Sequence, residues 1–298
     1  MVQAFCVAGH TFHLGTPDGS HVPALLAQYQ EFVTDPADAP LFVLNVVDEV
    51  PVREMTPLYV PQDSGEGIPR LDLFTCADGY IVEMAPLQKL PACARLLMSS
   101  DFREGSLALL KDSERSSLFA VNNALMLMYA FCSAPYMTLE MHASVIENGG
   151  RGYLFLGKSG TGKSTHSSLW LKYIEGSELM NDDNPIVRVC DDGVTRVYGS
   201  PWSGKTPCYR NVSAPVGAFV RIRQAKHNTL TRLSLLESYA SVYSSCSGFK
   251  AHRGMADGQH ETLEHIALNV PCYIMDCLPD EDAARVCASG VRKEEGDE

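Results

Sequence analysis

The residues with the most specific chemistry form one glycine-rich stretch, Gly157-Lys-Ser-Gly-Thr-Gly-Lys-Ser164, which matches the pattern G-x-x-x-x-G-K-[ST] at every fixed position. Glycines let such a loop turn so that successive backbone N–H groups converge on phosphate oxygens, and the helix that follows adds its own N-terminal donors. Lys163 would reach the β and γ phosphates, and Ser164 would hold Mg²⁺ through its hydroxyl. The predicted nucleotide-binding residues are Gly157, Ser159, Gly160, Thr161, Gly162, Lys163, Ser164 and Thr165. The alternative interpretation is a glycine-rich turn that only caps a helix.

A pair of adjacent carboxylates follows in Leu179-Met-Asn-Asp-Asp-Asn-Pro185. Mg²⁺ bound to one hydroxyl and to phosphates favours a carboxylate ligand as well, and phosphate-binding loops receive one from the end of a neighbouring strand. Asp182 and Asp183 are the candidates, one for the metal and one to accept a proton from the attacking group. The alternative is an acidic turn, which is how we interpret the nearby Asp191-Asp192-Gly193.

A third candidate stretch is Pro201-Trp-Ser-Gly-Lys-Thr206. Lys205 would reach a phosphate and is included among the predicted catalytic residues, and Trp202 would stack on a base or an acceptor. The alternative here is an ordinary turn with a partly buried Trp202.

The loop spacing, the aspartate pair about twenty residues further on, and Met141-His-Ala-Ser-Val-Ile146 together resemble the HPr kinase and phosphoenolpyruvate carboxykinase superfamily. The resemblance is clearest over residues 138–183. It implies a P-loop (Walker A) kinase domain that binds ATP and Mg²⁺, with His142 near the phosphates or the metal. It also implies that Asp182 is the proton acceptor and Asp183 the metal carboxylate, although the two roles are exchangeable.

This chain departs from the family pattern in two places: its N-terminal half, and the residues that follow the aspartate pair. Both departures weaken the case for HPr as the substrate and for the phosphorylase activity of true HPr kinases. The function implied is transfer of phosphate from ATP to a hydroxyl of a protein, a peptide or a small molecule. The alternatives are a non-catalytic nucleotide-binding module and a phosphoenolpyruvate carboxykinase-like enzyme. Family members often assemble, so the resemblance also implies a homo-oligomer by analogy.

Composition limits the classes of partner and compartment. A net charge of -12 disfavours contact with nucleic acid and with anionic membrane surfaces. No basic segment precedes the first apolar residues, so no signal peptide is readable, and the apolar stretch from Leu118 to Ala134 is shorter than the roughly 20 residues that a bilayer needs. Ten cysteines without a Cys-x-x-Cys pair favour reduced thiols in the cytoplasm.

The elements that must position these residues follow from turn residues and apolar runs. Leu71–Cys76 and 80–84 form a predicted hairpin around Ala77-Asp-Gly79, and a helix capped by Asp112 and Ser113 runs from Glu114 to Phe131. Further on we predict strands at 136–146 and 153–156 that form a hairpin around the turn Asn148-Gly-Gly150. A helix at 165–174, a short strand at Leu179-Met180, and a hairpin of 186–189 and 194–198 follow.

With 298 residues and roughly 150 residues per domain, the chain is long enough for two domains. We predict an α/β protein, α+β overall, in which a P-loop kinase domain of the HPr kinase/phosphoenolpyruvate carboxykinase type follows a smaller β-rich domain. The predicted boundaries are 1–134 for the β-rich domain, which ends in a buried helix, 135–290 for the P-loop domain, and 291–298 for a frayed tail.

Overall fold

In the computed structural model the chain forms two compact units, Met1–Cys132 and Ser133–Glu298. The structure describes residues 1–51, 54–60, 69–111, 113–204, 206–249 and 252–293. Over these ranges each unit contains a nine-stranded mixed sheet with helices, so the protein is α+β overall. The unit boundary lies two residues before the predicted one. Asp112 and Lys205 lie outside the described residues.

The sheet of the first unit has the strand order β3-β1-β2-β4-β9-β8-β7-β6-β5. Pairs β2–β4 and β4–β9 are parallel and the others are antiparallel. The strands are β1 (Val2–Val7), β2 (His10–Gly15), β3 (Val33–Thr34), β4 (Val43–Val47), β5 (Thr56–Tyr59), β6 (Arg70–Cys76), β7 (Gly79–Ala85), β8 (Ala94–Ser99) and β9 (Glu104–Leu109). The predicted hairpin is β6–β7, and it turns at Gly79, whose φ of +138° favours glycine.

One long helix, α1 (Glu114–Ser133), packs on this sheet and ends two residues beyond the predicted end at Phe131. The hydroxyl of Tyr129 donates to the carbonyl oxygen of Val7 at 3.0 Å, and Gly105 in β9 leaves the space that the Met128 side chain fills. The segment Glu114–Tyr136 is long and apolar enough to cross a membrane, so the length argument made from Leu118–Ala134 was wrong. However, 67% of its most apolar window is buried inside the protein. The helix is therefore part of the core of this unit.

The second unit contains nine strands and four helices among its described residues. The strands are β10 (Thr138–Glu140), β11 (Ala143–Asn148), β12 (Arg151–Leu156), β13 (Glu178–Asp183), β14 (Ile186–Val189), β15 (Thr195–Tyr198), β16 (Ser213–Gln224), β17 (Thr229–Arg232) and β18 (Cys272–Cys277). The helices are α2 (Lys163–Tyr173), α3 (Leu235–Tyr243), α4 (Arg253–Asn269) and α5 (Glu281–Lys293).

The long strand β16 belongs to both parts of this sheet. Its first residues pair with β15 and extend an antiparallel group in the order β10-β14-β15-β16. Its later residues pair in parallel with β12 and β18, within a larger group in the order β13-β11-β12-β16-β18-β17. The predicted hairpins β11–β12 and β14–β15 are both present.

Apolar clusters cover both faces of the larger group of strands. Tyr153 and Phe155 of β12 pack with Trp170 of α2 and with α5, whereas Leu154 and Leu156 pack on the opposite face with α3 and α4. This two-sided burial explains why β12 is a continuous apolar run rather than an alternating one. It also fixes the end of β12, where the glycine-rich loop begins.

Several predicted boundaries were wrong. The segment 136–146 is not one strand: a 3₁₀ turn (Ala134–Tyr136), β10 and β11 replace it, with a break at Met141 and His142, because Met141 pairs with Cys246 instead of continuing the ladder. Helix α2 begins two residues earlier than predicted, and β13 extends to Asp183. Helix α5 continues to Lys293 with Val291 buried, so the first three residues of the predicted tail are helical; residues 294–298 lie outside the described ranges.

Candidate functional site

The register of three strands brings the candidate residues to one edge of the sheet. Strand β11 runs antiparallel to both β12 and β13, and Ala143 at its start lies opposite Leu156 on one side and Asp183 on the other. His142, just before β11, therefore lies beside the ends of both neighbouring strands. The glycine-rich loop leaves one of these ends and the aspartate pair forms the other.

The loop adopts a backbone that needs its glycines. Gly157, Gly160 and Gly162 have φ of +152°, +80° and +106°, a region that other residues rarely adopt. A Cβ atom on Gly157 would lie 2.4 Å from Oγ1 of Thr161. Helix α2 starts directly after Gly162, and no side chain among the described residues caps its first turn. Its N-terminal N–H groups and positive dipole end are thus directed toward this edge.

Lys163 is the most buried cation of the site, with 9% of its surface exposed. Its Nζ lies 2.8 Å from Nε2 of His142 and donates to the carbonyl oxygen of Gly157 at 3.0 Å. Burial lowers the pKa of Lys163, while the charges of Asp183 and Asp182 oppose that shift. The ammonium group is therefore held next to the loop by two short contacts.

The two aspartates have different partners. Asp182 is almost fully buried, and its Oδ1 accepts a hydrogen bond from the Ser164 hydroxyl at 2.9 Å. Asp183 is partly exposed, and its Oδ1 lies 2.9 Å from Nδ1 of His142. A neutral His142 with its proton on Nδ1 satisfies both ring nitrogens, since Nδ1 donates to Asp183 and Nε2 accepts from Lys163.

A buried polar network surrounds this pair of aspartates. The amide Nδ2 of Asn181 donates to the Ser200 hydroxyl at 3.2 Å and to the Trp202 carbonyl oxygen at 3.0 Å, and its Oδ1 accepts from the backbone N–H of Asn184. The Ser200 hydroxyl lies 2.6 Å from the carbonyl oxygen of Asn184. Asn181 and Ser200 are fully buried, so they hold the chain on both sides of the aspartates.

Asp183 itself has φ of +149°, which is strained for a residue with a side chain. Ser203 forms a bridge with Asp183, and the N–H of Gly204 donates to the carbonyl oxygen of Asp182 at 2.6 Å. A Cβ on Gly204 would lie 2.8 Å from that same carbonyl oxygen. The strained backbone is thus held by close packing and by the polar network.

These groups line one cavity of about 510 Å³, which we call the charged cavity. Its walls are His142, Ser159, Gly160, Gly162, Lys163, Ser164, Thr165, Asp182, Asp183 and Gly204. Most of the predicted binding residues and three of the four predicted catalytic residues therefore meet here. The other two predicted binding residues, Gly157 and Thr161, are not in its wall. The carbonyl oxygen of Gly157 accepts from Lys163, and the Thr161 hydroxyl donates to the carbonyl oxygen of Lys158 within the loop.

The stretch from Pro201 to Thr206 contributes backbone rather than the stacking group that we expected. Trp202 is only 1% exposed, so the prediction that it stacks on a base or an acceptor is wrong. Its indole is buried in the protein interior, and its backbone carbonyl oxygen accepts from Asn181. The predicted role of Lys205 falls outside the described residues.

Two groups at this edge are not among the predicted site residues. Glu140, at the end of β10, is 2% exposed; burial, followed by the charge of Asp183, raises its pKa to about 8. Arg221 in β16 donates to the hydroxyls of Ser241 and Ser245, and the carbonyl oxygen of Ser245 accepts from the N–H of His142 at 2.7 Å. No local pattern reveals them, because their partners are distant in sequence.

The donor set suits a magnesium ion that is shared with phosphates. In the described ranges no group of three or more His, Cys, Asp or Glu side chains is arranged to hold a metal by itself. Mg²⁺ in phosphoryl-transfer sites typically uses one or two carboxylates and a hydroxyl, and takes further oxygens from phosphates and water. Ser164 and Asp182, in direct contact, fit that need.

A scan against models of known protein families finds no match to this chain, and a search of curated proteins finds no similar sequence. The similarity to the HPr kinase and phosphoenolpyruvate carboxykinase superfamily therefore rests on the residues of the loop, the aspartate pair and His142.

Proposed function

We propose that this chain is an ATP- and Mg²⁺-dependent phosphotransferase with a P-loop kinase domain of the HPr kinase-like type, which transfers phosphate to a hydroxyl. One observation carries the proposal. A glycine-dependent loop and the uncapped start of α2 share the charged cavity with a buried lysine, a serine–aspartate contact and a histidine–aspartate pair. Each of these features is what binding and transfer of a phosphoryl group require.

The nucleotide phosphates would lie against the first turn of α2. Backbone N–H groups of the loop and the ammonium group of Lys163 neutralise their charge, and the low exposure of Lys163 strengthens that interaction. In binding, Lys163 exchanges its contact with His142 for a phosphate oxygen. The ring nitrogen of His142 is then released.

Contacts favour Asp182 rather than Asp183 as the metal carboxylate, and His142 rather than an aspartate as the proton acceptor. Asp182 touches Ser164, so these two residues would hold Mg²⁺, which when bound neutralises the charge of the phosphates. Asp183 orients His142 through Nδ1, in the way that a carboxylate orients the base of a catalytic triad. His142 Nε2 would then accept the proton of the acceptor hydroxyl as its oxygen attacks the γ phosphorus and ADP leaves.

The compartment that suits this activity is the cytoplasm, where ATP and Mg²⁺ are plentiful. All ten cysteines are free thiols, which agrees with a reducing environment. The acceptor is a protein, a peptide or a small metabolite with a hydroxyl, and by analogy with the family we propose that the protein forms a homo-oligomer.

Replacing Lys163 with Ala tests the proposal, with Lys172→Ala as the matched control. Lys172 lies on the same helix and is exposed. We expect Lys163→Ala to lower the rate of phosphate transfer by on the order of a hundredfold or more, because one preorganised cation is lost. Mass spectrometry of cell extract incubated with labelled ATP and each protein identifies the phosphorylated molecule and its rate of formation.

The control variant is expected to match the parent. Equal transfer by the Lys163→Ala variant and the parent would contradict the assignment. ATP binding by the parent with no product in any extract would favour the non-catalytic module instead, and product formation that depends on oxaloacetate would favour the carboxykinase-like enzyme.

A further inference from the structure

A short turn after α3 lies alongside the break between β10 and β11. We call it the serine turn, residues 244–247. The N–H of His142 donates to the carbonyl oxygen of Ser245 at 2.7 Å, and the N–H of Ser247 donates to that of Glu140 at 2.9 Å, with a β-bridge between these two contacts. The backbone of His142 is therefore held by a segment that lies more than a hundred residues further along the chain.

Arg221 of β16 fixes the end of the serine turn that lies beside His142. Its Nε donates to the Ser241 hydroxyl at 2.9 Å. Its Nη2 shares its protons among the hydroxyls of Ser244 (2.7 Å) and Ser245 (3.0 Å) and the carbonyl oxygen of Ser241. The planar guanidinium group thus holds the last turn of α3 and the start of the serine turn in one geometry.

The contacts of Arg221 differ from those of a nearby surface cation. Burial lowers the pKa of Arg221, and no carboxylate in the described part of the chain contacts its guanidinium group to offset that effect. Arg223, two residues further along the same face of β16, is exposed and pairs with Asp276. Burying a cation without a counter-charge costs free energy, which points to a role for Arg221 other than stability.

The far end of the serine turn has a separate attachment. Gln259 of α4 donates through Nε2 to the carbonyl oxygen of Ser247 at 2.7 Å. Losing the guanidinium group would therefore release the end at Ser245 and leave the end at Ser247 in place. A shift of Ser245 moves the backbone of His142, and with it the two short contacts of the His142 ring.

We infer that Arg221 is a positioning residue for phosphate transfer: through Ser245 it holds the ring of His142 against its aspartate partner and toward the acceptor hydroxyl. This inference rests on the proposed function, which makes His142 the proton acceptor. Among the described residues, the wall of the charged cavity does not include Arg221. It therefore acts through the serine turn and not on the reacting atoms.

The first test replaces Arg221 with Met, which removes the guanidinium group and keeps an apolar stem. Arg223→Met is the matched control on the same face of β16. We expect Arg221→Met to lower the maximal rate of labelled product formation in cell extract about tenfold or more, with a nearly unchanged KM for ATP, because proton transfer depends on hydrogen-bond geometry. Arg221→Lys should recover only part of the loss, since an ammonium group lacks the planar fork. The control should change neither quantity.

A double-mutant cycle separates this role from a purely structural one. His142→Gln removes the proton acceptor, so adding Arg221→Met to it should lower the maximal rate by less than about twofold further. An equal loss in the presence and absence of His142 would overturn the inference, because Arg221 would then act independently of that ring. An unchanged rate in a folded Arg221→Met variant would overturn it as well.

The ring of His142 gives a readout that does not depend on activity. Nitrogen-15 NMR distinguishes the two tautomers of a neutral imidazole, and the contacts of His142 require its proton on Nδ1. We expect this single tautomer in the parent and in Arg223→Met, and a mixture of both tautomers in Arg221→Met. The His142→Gln protein identifies the signal by its absence.

The same single tautomer in the parent and in Arg221→Met would overturn the inference. If Arg221→Met does not fold, Arg221→Lys carries the same comparison, and parental values for both its rate and its tautomer would overturn the inference. Absence of any labelled product with the parent would overturn the proposed function, whereas the NMR comparison would still decide whether Arg221 positions the ring.

Discussion

Two pairs of adjacent aspartates lie nine residues apart in the second unit and have opposite surroundings. Asp182-Asp183 ends β13 next to a buried network, with one carboxylate on Ser164 and the other on His142. Asp191-Asp192 is exposed in the turn between β14 and β15, where Oδ1 of Asp192 accepts from the N–H of Val194 at 2.9 Å. The same two residues thus serve a candidate site in one place and a turn in the other.

The difference teaches that the surroundings, rather than the residue pair, determine the chemistry. At the first pair the backbone is strained at Asp183 and buried side chains hold it in place. At the second pair Gly193 takes the positive φ, so the turn stores no comparable strain. Strain that is held by surrounding structure is typical of functional sites.

Neutralising the carboxylates of each aspartate pair is the strongest test of the difference between the two pairs. We expect Asp182→Asn and Asp183→Asn each to lower phosphate transfer by on the order of a hundredfold or more, since each removes a charge that acts on the reacting groups. Asp191→Asn and Asp192→Asn are the matched controls and should retain the parent rate. Steady-state kinetics of the four variants check this, and a similar loss in the control pair would contradict the contrast.

Removing the Ser200 hydroxyl tests whether the buried network holds the first pair in place. Ser200→Ala removes the hydroxyl that donates to the buried carbonyl oxygen of Asn184 and leaves Asn181 Nδ2 with one acceptor, the Trp202 carbonyl oxygen, which should cost about 1–3 kcal/mol of unfolding free energy. Both tryptophans, Trp170 and Trp202, lie in the second unit, so tryptophan fluorescence in urea reports on that unit alone.

We also expect the Ser200→Ala variant to have a lower kcat with a nearly unchanged KM for ATP, because the aspartates move while the loop does not. Ser289→Ala, whose exposed hydroxyl bonds only within α5, is the control and should change neither quantity. A loss of stability with full kcat would assign Ser200 a purely structural role.

The buried carboxyl group of Glu140, beside the first aspartate pair, makes the stability of the protein depend on pH. The pKa of Glu140 is raised from 4.5 to about 8, so the folded protein retains a proton that the unfolded chain releases. Its contribution to stability is therefore fully present below pH 4.5 and is lost as the pH rises to about 8, at no more than about 1.4 kcal/mol per pH unit. Urea unfolding at pH 5, 6.5 and 8 measures the slope.

Glu140→Gln removes that titration and keeps the shape of the side chain. We expect the unfolding free energy of this variant to depend less on pH than that of the parent. The difference in its favour should be largest at pH 8. Identical slopes in the two proteins would mean that Glu140 is ionised in the folded state.

The smallest effect is expected at the exposed pair. Asp192→Ala removes one exposed hydrogen bond to the backbone N–H of Val194 and an exposed ion pair with Arg196, and a change of about 0.5 kcal/mol is typical of such surface positions. Thermal unfolding followed by tryptophan fluorescence measures it. A change of several kcal/mol would place this turn among the important contacts of the unit.

Local sequence patterns predicted the elements whose structure depends on residues that are close together in the sequence. The glycine-rich loop, the helix after it and the three hairpins are fixed by glycine φ, turn residues and apolar runs, and the sequence predicted each of them. It missed the break at His142, because the pairing of Met141 with Cys246 spans more than a hundred residues. It also missed the Asn181–Ser200 network, whose members read as ordinary polar residues until the fold brings them together.

The shared strand β16 affects how the second unit unfolds. Because one continuous strand supplies ladder hydrogen bonds to β15, β12 and β18, neither group of strands can open at this seam without exposing the backbone of the other. Amide protons in the middle of β16 should be the slowest in the unit to exchange with deuterium. The glycine-rich loop follows β12, so it is anchored to a strand that pairs directly with β16.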